Sequence, residues 1–177
     1  MSSHQNLFFI GPTGAGKTTI GKRVAIHYGM TFVDLDHEIE ERTGVDVSLI
    51  FDIEGEEGFR RRETAALKDL ASRDDVVLAT GGGCVLASEN RGILRSHGFV
   101  VYLQTTVDRQ LERLYRDKQR PLLQAPNRRE VLERMAELRN PIYQSVADLT
   151  VISEPVSVAQ MARQVIRQLR ESDYARR

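Results

Sequence analysis

Apolar residues along the chain fall into short unbroken runs, separated by stretches with helical spacing. Five runs read as strands: Leu7–Ile10, Thr31–Leu35, Val76–Thr80, Phe99–Gln104 and Leu149–Ile152. Most are continuous rather than alternating, as strands covered on both faces require. Between them the spacing predicts helices. Thr19 to Tyr28 sets Ile20, Val24 and Ala25 on one face and stops at Gly29. A short helix is expected over His37–Arg42. Phe59, Ala66, Leu67, Leu70 and Ala71 form one face ahead of the third strand. Asn127 with Glu130 resembles a capping box, opening a helix with Val131, Leu132, Met135 and Leu138 as its apolar positions. Ser157 with Gln160 opens the last helix, with Val158, Met161, Val165 and Leu169 inward, and the tail from Glu171 is expected to fray. The alternation predicts an α/β fold, a parallel sheet in a three-layer α/β/α arrangement with right-handed crossovers. Ligands then belong at the carboxyl ends of the strands.

The loop after the first strand reads Gly11-Pro12-Thr13-Gly14-Ala15-Gly16-Lys17-Thr18, the full pattern G-x-x-x-x-G-K-[ST]. Its spacing wraps backbone N–H groups around a polyphosphate. Gly14 and Gly16 permit the tight turn, and the helix that follows points its positive end at the same anion. Lys17 is expected to reach the β- and γ-phosphate oxygens, and the Thr18 hydroxyl to ligate Mg²⁺. A glycine-rich turn that fits by chance is the bland alternative, weakened by the strand before and the helix after.

Composition narrows the function classes. The chain has 177 residues, enough for one domain with a real core. Lysine plus arginine and aspartate plus glutamate number 25 each, so no net field draws nucleic acid or a membrane. Arginine outnumbers lysine, which suits bidentate recognition of carboxylate and phosphate. The single cysteine, Cys84, excludes an internal disulfide, and a cytoplasmic setting is expected. No apolar stretch is long enough to span a bilayer, and the N-terminus lacks a signal-peptide pattern. His4, His27, His37 and His97 lack metal-ligand spacing.

Two further loops carry chemistry. Strand alternation would put Asp34 and Asp36 on the same side of the second strand's end. One carboxylate can hold Mg²⁺ through water or orient a nucleophilic hydroxyl, and the other can accept hydrogen bonds from a polyol. Alternatively Asp36 only caps the following helix. The third strand ends in Ala79-Thr80 without an acid, so Asp34 and Asp36 are the nearest candidates. Thr80-Gly81-Gly82-Gly83 lets a ring lie against bare backbone, or is a flexible turn. Of Arg60, Arg61 and Arg62, at most one or two can face a common ligand, and Arg61 and Arg62 read as a solvated face. Lys118-Gln119-Arg120-Pro121 reads as a flap carrying a cation to the transferring phosphate, or as an exposed basic loop. Arg139 precedes Pro141, where a helix starts or kinks.

Taken together, these segments resemble the shikimate kinase family. The matching pieces are the phosphate loop, Asp34-x-Asp36, Phe59-Arg60-x-x-Glu63, Thr80-Gly81-Gly82-Gly83, Arg120-Pro121-Leu122-Leu123 and Arg139-Asn140-Pro141-x-Tyr143, in the family's order across most of the chain. The resemblance implies ATP-dependent phosphorylation of the 3-hydroxyl of shikimate, on the route to aromatic amino acids. It implies a nucleoside-monophosphate-kinase-like fold with a five-stranded parallel sheet of order 2-3-1-4-5. One kinase domain over 1–177 is expected, with a substrate-binding region at about 34–62 and a lid at about 113–126. The implied roles follow. Gly14, Ala15, Gly16, Lys17, Thr18 and Thr19 cradle the phosphates of ATP. Thr18 and Asp34 serve Mg²⁺, with Asp34 also near the reacting hydroxyl. Asp36 accepts from shikimate hydroxyls, Arg60 and Arg139 hold its carboxylate, and Gly81, Gly82 and Gly83 line its ring. Arg120 reaches the phosphates from the lid, and Arg113 lies against adenine. Some relatives carry an arginine within the loop Ser153-Glu154-Pro155-Val156 and this chain does not, so that adenine contact stays unassigned. A monomer without nucleic-acid or membrane partners is expected. The rival readings are another small-molecule kinase, of the gluconate type, and a nucleotide-binding regulatory switch. The switch would need a guanine-reading Asn-Lys-x-Asp, which is absent.

Overall fold

The structure is a computed structural model and describes residues 5–115 and 126–176. Five parallel strands form one sheet in the order β2-β3-β1-β4-β5. They are β1 (Asn6–Ile10), β2 (Thr31–Asp34), β3 (Val76–Ala79), β4 (Gly98–Gln104) and β5 (Leu149–Ile152). Among the described residues seven α-helices connect and cover them: α1 (Lys17–Tyr28), α2 (Leu35–Thr43), α3 (Val47–Ala71), α4 (Ser88–His97), α5 (Val107–Leu114), α6 (Arg128–Val146) and α7 (Val158–Glu171). The expected order 2-3-1-4-5 and the three layers are present.

Alternating side chains of the central strands feed two cores. Phe8, Ile10, Leu78, Val100 and Tyr102 pack with α2, α3, α4 and α6 on one face. Leu7, Phe9, Val77, Val101 and Leu103 pack with α1 and α7 on the other. This two-sided burial is why the runs show no polar alternation. The outer strand β5 departs from it: only Val151 is buried, and Ile152 is exposed. One buried polar residue ties the layers together. The Asn6 amide donates to Arg73 O at 2.7 Å and Ala71 O at 3.3 Å, and accepts from Val76 N at 2.8 Å, locking the end of α3 to β1 and β3.

Several expectations need correction. Strand β2 ends at Asp34, and Leu35 already belongs to α2. Strand alternation therefore does not relate Asp34 to Asp36. Asp34, not Asp36, is the helix cap, accepting from His37 N at 3.1 Å. Asn127 stands at the N-cap of α6 but makes no side-chain cap bond, whereas the Ser157–Gln160 capping box on α7 is complete. Leu138 and Val158 are exposed rather than inward. The tail does not fray at Glu171. A short 3₁₀ turn over Asp173–Arg176 buries Tyr174, whose ring meets Tyr28 edge-on and tilts against Phe99. Helix α3 is 25 residues long but breaks at Gly55 (φ 70°, ψ −179°).

Candidate active site

Loops leave the carboxyl ends of β1 and β3, and β2 turns directly into α2 beside them. The loop after β1 bends through Gly11, Gly14 and Gly16, all at positive φ. A Cβ at Gly11 would lie 2.5 Å from the Leu103 carbonyl oxygen, so the loop's first glycine also lets it pass β4. Gly16 precedes α1, and Ile20 N returns to its carbonyl at 2.9 Å. Lys17 is buried, and its Nζ donates to Gly11 O at 2.7 Å and Pro12 O at 2.9 Å. The ammonium therefore arches over its own loop.

At the head of α1, Thr18 Oγ1 donates to Asp34 Oδ2 at 2.6 Å. The other Asp34 oxygen caps α2. A hydroxyl and a carboxylate thus meet beside the phosphate loop, joining the two residues expected at the metal. They are hard oxygen donors and few in number, which suits Mg²⁺ that keeps its waters and phosphate ligands. Among the described residues no group of three or more His, Cys, Asp or Glu side chains could hold a metal. The Thr18–Asp34 pair fits an ion held mainly by its nucleotide.

A second cluster surrounds the triple glycine. A Cβ at Gly81 would lie 2.9 Å from Asp36 Oδ1, and one at Gly82 3.6 Å from Arg139 Nη1 and 3.4 Å from Thr13 N. At Gly83 it would overlap the Arg60 guanidinium. Asp36, Arg60 and Arg139 come together over the glycine strip, beside the phosphate loop. The strip is not a loose turn. Gly81 O accepts from Cys84 N at 3.2 Å, Gly83 O from Leu86 N at 3.1 Å, and Gly82 O from the Tyr143 hydroxyl. Asn90, fully buried, donates to Cys84 O at 2.9 Å and accepts from Thr64 Oγ1 at 2.8 Å, fastening the turn to α3 and α4.

Charge balance in this pocket turns on Glu63. It is fully buried, and its Oε1 accepts from Arg60 Nη1 at 2.8 Å. Burial lifts the Glu63 carboxyl above the ordinary glutamate value, and Arg60 pulls it part of the way back. Burial works against the Arg60 charge in turn, and Glu63 and Glu56 outweigh it, so the guanidinium is held firmly protonated. Buried Arg60 Nε and Arg139 Nε find no hydrogen-bond partner among the described residues. Two guanidinium groups thus stand beside the glycine strip with a donor each left unsatisfied by the protein. Arg61 and Arg62 face solvent, paired with Glu57 and Glu54. Cys84 is buried and uncharged, since burial and then Glu63 push its thiol far up. It behaves as a filler beneath the pocket.

Helix α5 braces the nucleotide side. Gln110 Nε2 donates to Thr13 O at 2.9 Å, and Arg113 donates to Gly14 O and, at 3.2 Å, to Ser153 Oγ. Arg109 donates to Ser153 O. Burial and then Arg109 pull the Arg113 pKa down. The loop that lacks its own arginine is therefore gripped by two from α5. Arg113 and Leu114 belong to this helix rather than to a flap. Arg120 and the rest of the expected lid through residue 125 lie outside the described residues. The sequence reading gave no role to Glu63, Asn90, Gln110 or Tyr143. Of these, only Glu63 and Tyr143 lay in the family motifs.

Residues 13–170 match the family profile described as shikimate kinase. Shikimate kinase of Vibrio parahaemolyticus is 54% identical over 171 residues, covering 97% of this chain and 99% of the relative. A solved shikimate kinase from Acinetobacter baumannii, in complex with shikimate, superposes with a TM-score of 0.91 at 44% identity, covering 95% of this chain and 94% of the other. A shikimate kinase from Aquifex aeolicus does so at 0.81 and 31% identity, over 93% and 95%. With the glycine strip and its arginines beside a phosphate loop, and likeness along nearly its whole length, the chain belongs to the shikimate kinase family.

Proposed function

We infer that this protein transfers the γ-phosphoryl group of ATP to the 3-hydroxyl of shikimate, giving shikimate 3-phosphate and ADP. The observation that carries the reading is the meeting of Asp36, Arg60 and Arg139 over Gly81–Gly83, beside the phosphate loop. A small carboxylated polyol fits that pocket: two guanidinium groups take its carboxylate and one carboxylate takes its hydroxyls. A gluconate-type kinase is the poorer match, because a floor without side chains suits a ring better than an open chain.

In this reading the amides from Gly14 to Thr19 and the Lys17 ammonium hold the ATP phosphates, and Arg113 flanks the base. Thr18 and Asp34 would hold Mg²⁺, which when bound supplies charge neutralisation at the phosphate oxygens. Asp34 orients the attacking hydroxyl or takes its proton. Transfer through a loose transition state needs placement and charge stabilisation more than covalent help. Arg120, from the lid, adds positive charge at the transferring group. Closure also excludes water as a competing acceptor. The protein works as a single kinase domain and a monomer, in the cytoplasm. No helix among the described residues is long and apolar enough to cross a membrane.

A coupled assay with ATP, Mg²⁺ and shikimate tests the reading. ADP release is expected only with shikimate present, and gluconate or a nucleoside monophosphate should give background. Faster turnover on either of those acceptors would replace the assignment.

A further inference from the structure

Tyr143 sits beneath the glycine strip, almost fully buried and stacked on Tyr102 with ring centroids 5.1 Å apart. Its hydroxyl donates to the Gly82 carbonyl. Arg139 lies four residues earlier on α6, one turn away on the same face, with its Nη1 3.6 Å from where a Gly82 Cβ would stand. Guanidinium, hydroxyl and carbonyl thus gather at one glycine: the carbonyl only accepts, the hydroxyl fills it, and the guanidinium has only donors to offer. We propose that Tyr143 is a positioning residue for shikimate, holding Arg139 and the Gly82 floor at a set separation so that one rigid unit meets carboxylate and ring. The proposal rests on the assignment of this pocket to shikimate.

The physical case has three parts. First, the carbonyls of Gly81 and Gly83 are held by amides of their own turn, whereas that of Gly82 is held from α6. Tyr143 is thus the side chain joining the strip to the helix that carries Arg139. Second, the bond to the Gly82 carbonyl needs a protonated phenol. Burial pushes the Tyr143 hydroxyl well above the ordinary tyrosine value, and Arg139 only partly offsets this. Third, without the hydroxyl the Gly82 carbonyl lacks a donor. Arg139 Nη1 lies close by, 3.6 Å from where a Gly82 Cβ would stand, and can swing to that carbonyl. The guanidinium would then turn away from the ligand.

Tyr143→Phe separates this role from mere packing, because the ring and its stack on Tyr102 remain. The expected result is a KM and a calorimetric Kd for shikimate raised about five- to tenfold, the equivalent of one lost hydrogen bond. The KM for ATP and kcat stay within about twofold of wild type by the same reasoning. Tyr102→Phe is the control. Its hydroxyl faces Asn140 Oδ1 at 3.4 Å rather than the glycine strip, so shikimate affinity should not change. A shikimate KM unchanged in Tyr143→Phe overturns the proposal, as does a rise matched by equal losses in kcat and ATP affinity. Arg139→Ala tells that failure apart from a wrong pocket. If Arg139→Ala also leaves shikimate binding intact, the substrate assignment falls; if it alone weakens binding, only the Tyr143 inference falls. Should Tyr143→Phe not fold, wild-type protein with ¹³Cζ-labelled tyrosine decides. Shikimate should shift the Tyr143 resonance and leave that of Tyr28 still; an unmoved Tyr143 signal is the contrary result.

Discussion

Arg60→Ala is expected to weaken shikimate binding by roughly 10- to 100-fold, the loss of one or two charge-assisted hydrogen bonds, and to destabilise the fold as well. The second effect comes from Glu63. Its side chain is 1% exposed and that of Arg60 22%, so deleting the cation strands a carboxylate in the interior. Removing one partner of such a pair costs about 2–4 kcal/mol here, below the fully enclosed case because the guanidinium keeps some water contact. The loss should depend on pH in a defined direction. Glu63 titrates higher in the folded chain than its ordinary value of 4.5. A carboxyl raised on folding holds its proton more tightly in the native state. Stability is therefore greatest below the unfolded pKa and falls as pH climbs to the folded one. Without Arg60 the folded value rises further, and the decline extends toward neutrality. Urea titrations of wild type and variant should show a smaller gap at pH 5 than at pH 8. Adding Glu63→Gln should recover much of the stability but not shikimate affinity. A gap that ignores pH would mean that Glu63 is already neutral in the native protein.

Asp34→Asn should produce the largest loss of turnover, about a hundredfold or more if the carboxylate acts on the hydroxyl proton. The substitution is informative because the fold should tolerate it. An amide oxygen can still accept from His37 N and keep the cap of α2. What disappears is the acceptor for Thr18 Oγ1, since an amide nitrogen only donates. A melting temperature near that of wild type, with kcat strongly reduced and shikimate KM little changed, is the expected pattern. Near-normal kcat would remove Asp34 from the chemistry and leave it as a helix cap.

Much of this was legible from residue types alone, and the rest was not for physical reasons. The phosphate loop is readable because its job is done by backbone at glycines with fixed spacing. The strands are readable because burial on both faces erases alternation. The ligand pocket was only partly visible. Arg60, Asp36 and Arg139 come from α3, α2 and α6, and no local pattern says that they meet; the resemblance supplied that. Asp34 was misjudged in geometry because a strand end and a helix cap carry the same residue types. Asn90 and Tyr143 escaped because each acts by satisfying a partner distant in sequence. Glu63 escaped although Arg60 is only three residues away, because no local pattern says that this turn of α3 is fully buried. Tyr174 escaped because a polar-looking tail conceals one aromatic anchor. The exposure of Leu138 and Ile152 shows the converse, that an apolar residue on a periodic face need not have anything packed over it.

The break at Gly55 divides α3 into unequal parts. Before it, Val47–Glu54 buries only Ile50; beyond it, Gly58, Phe59, Glu63, Ala66, Leu67, Leu70 and Ala71 are all enclosed. The Glu54 carboxylate takes a forked pair of bonds from Arg62, fastening the outer stretch back across the bend through groups open to solvent. Amide deuterium uptake on the two sides of the break should consequently run at two speeds. The outer part exchanges through cheap local openings that leave the sheet intact, and the inner part exchanges only when the domain itself comes apart.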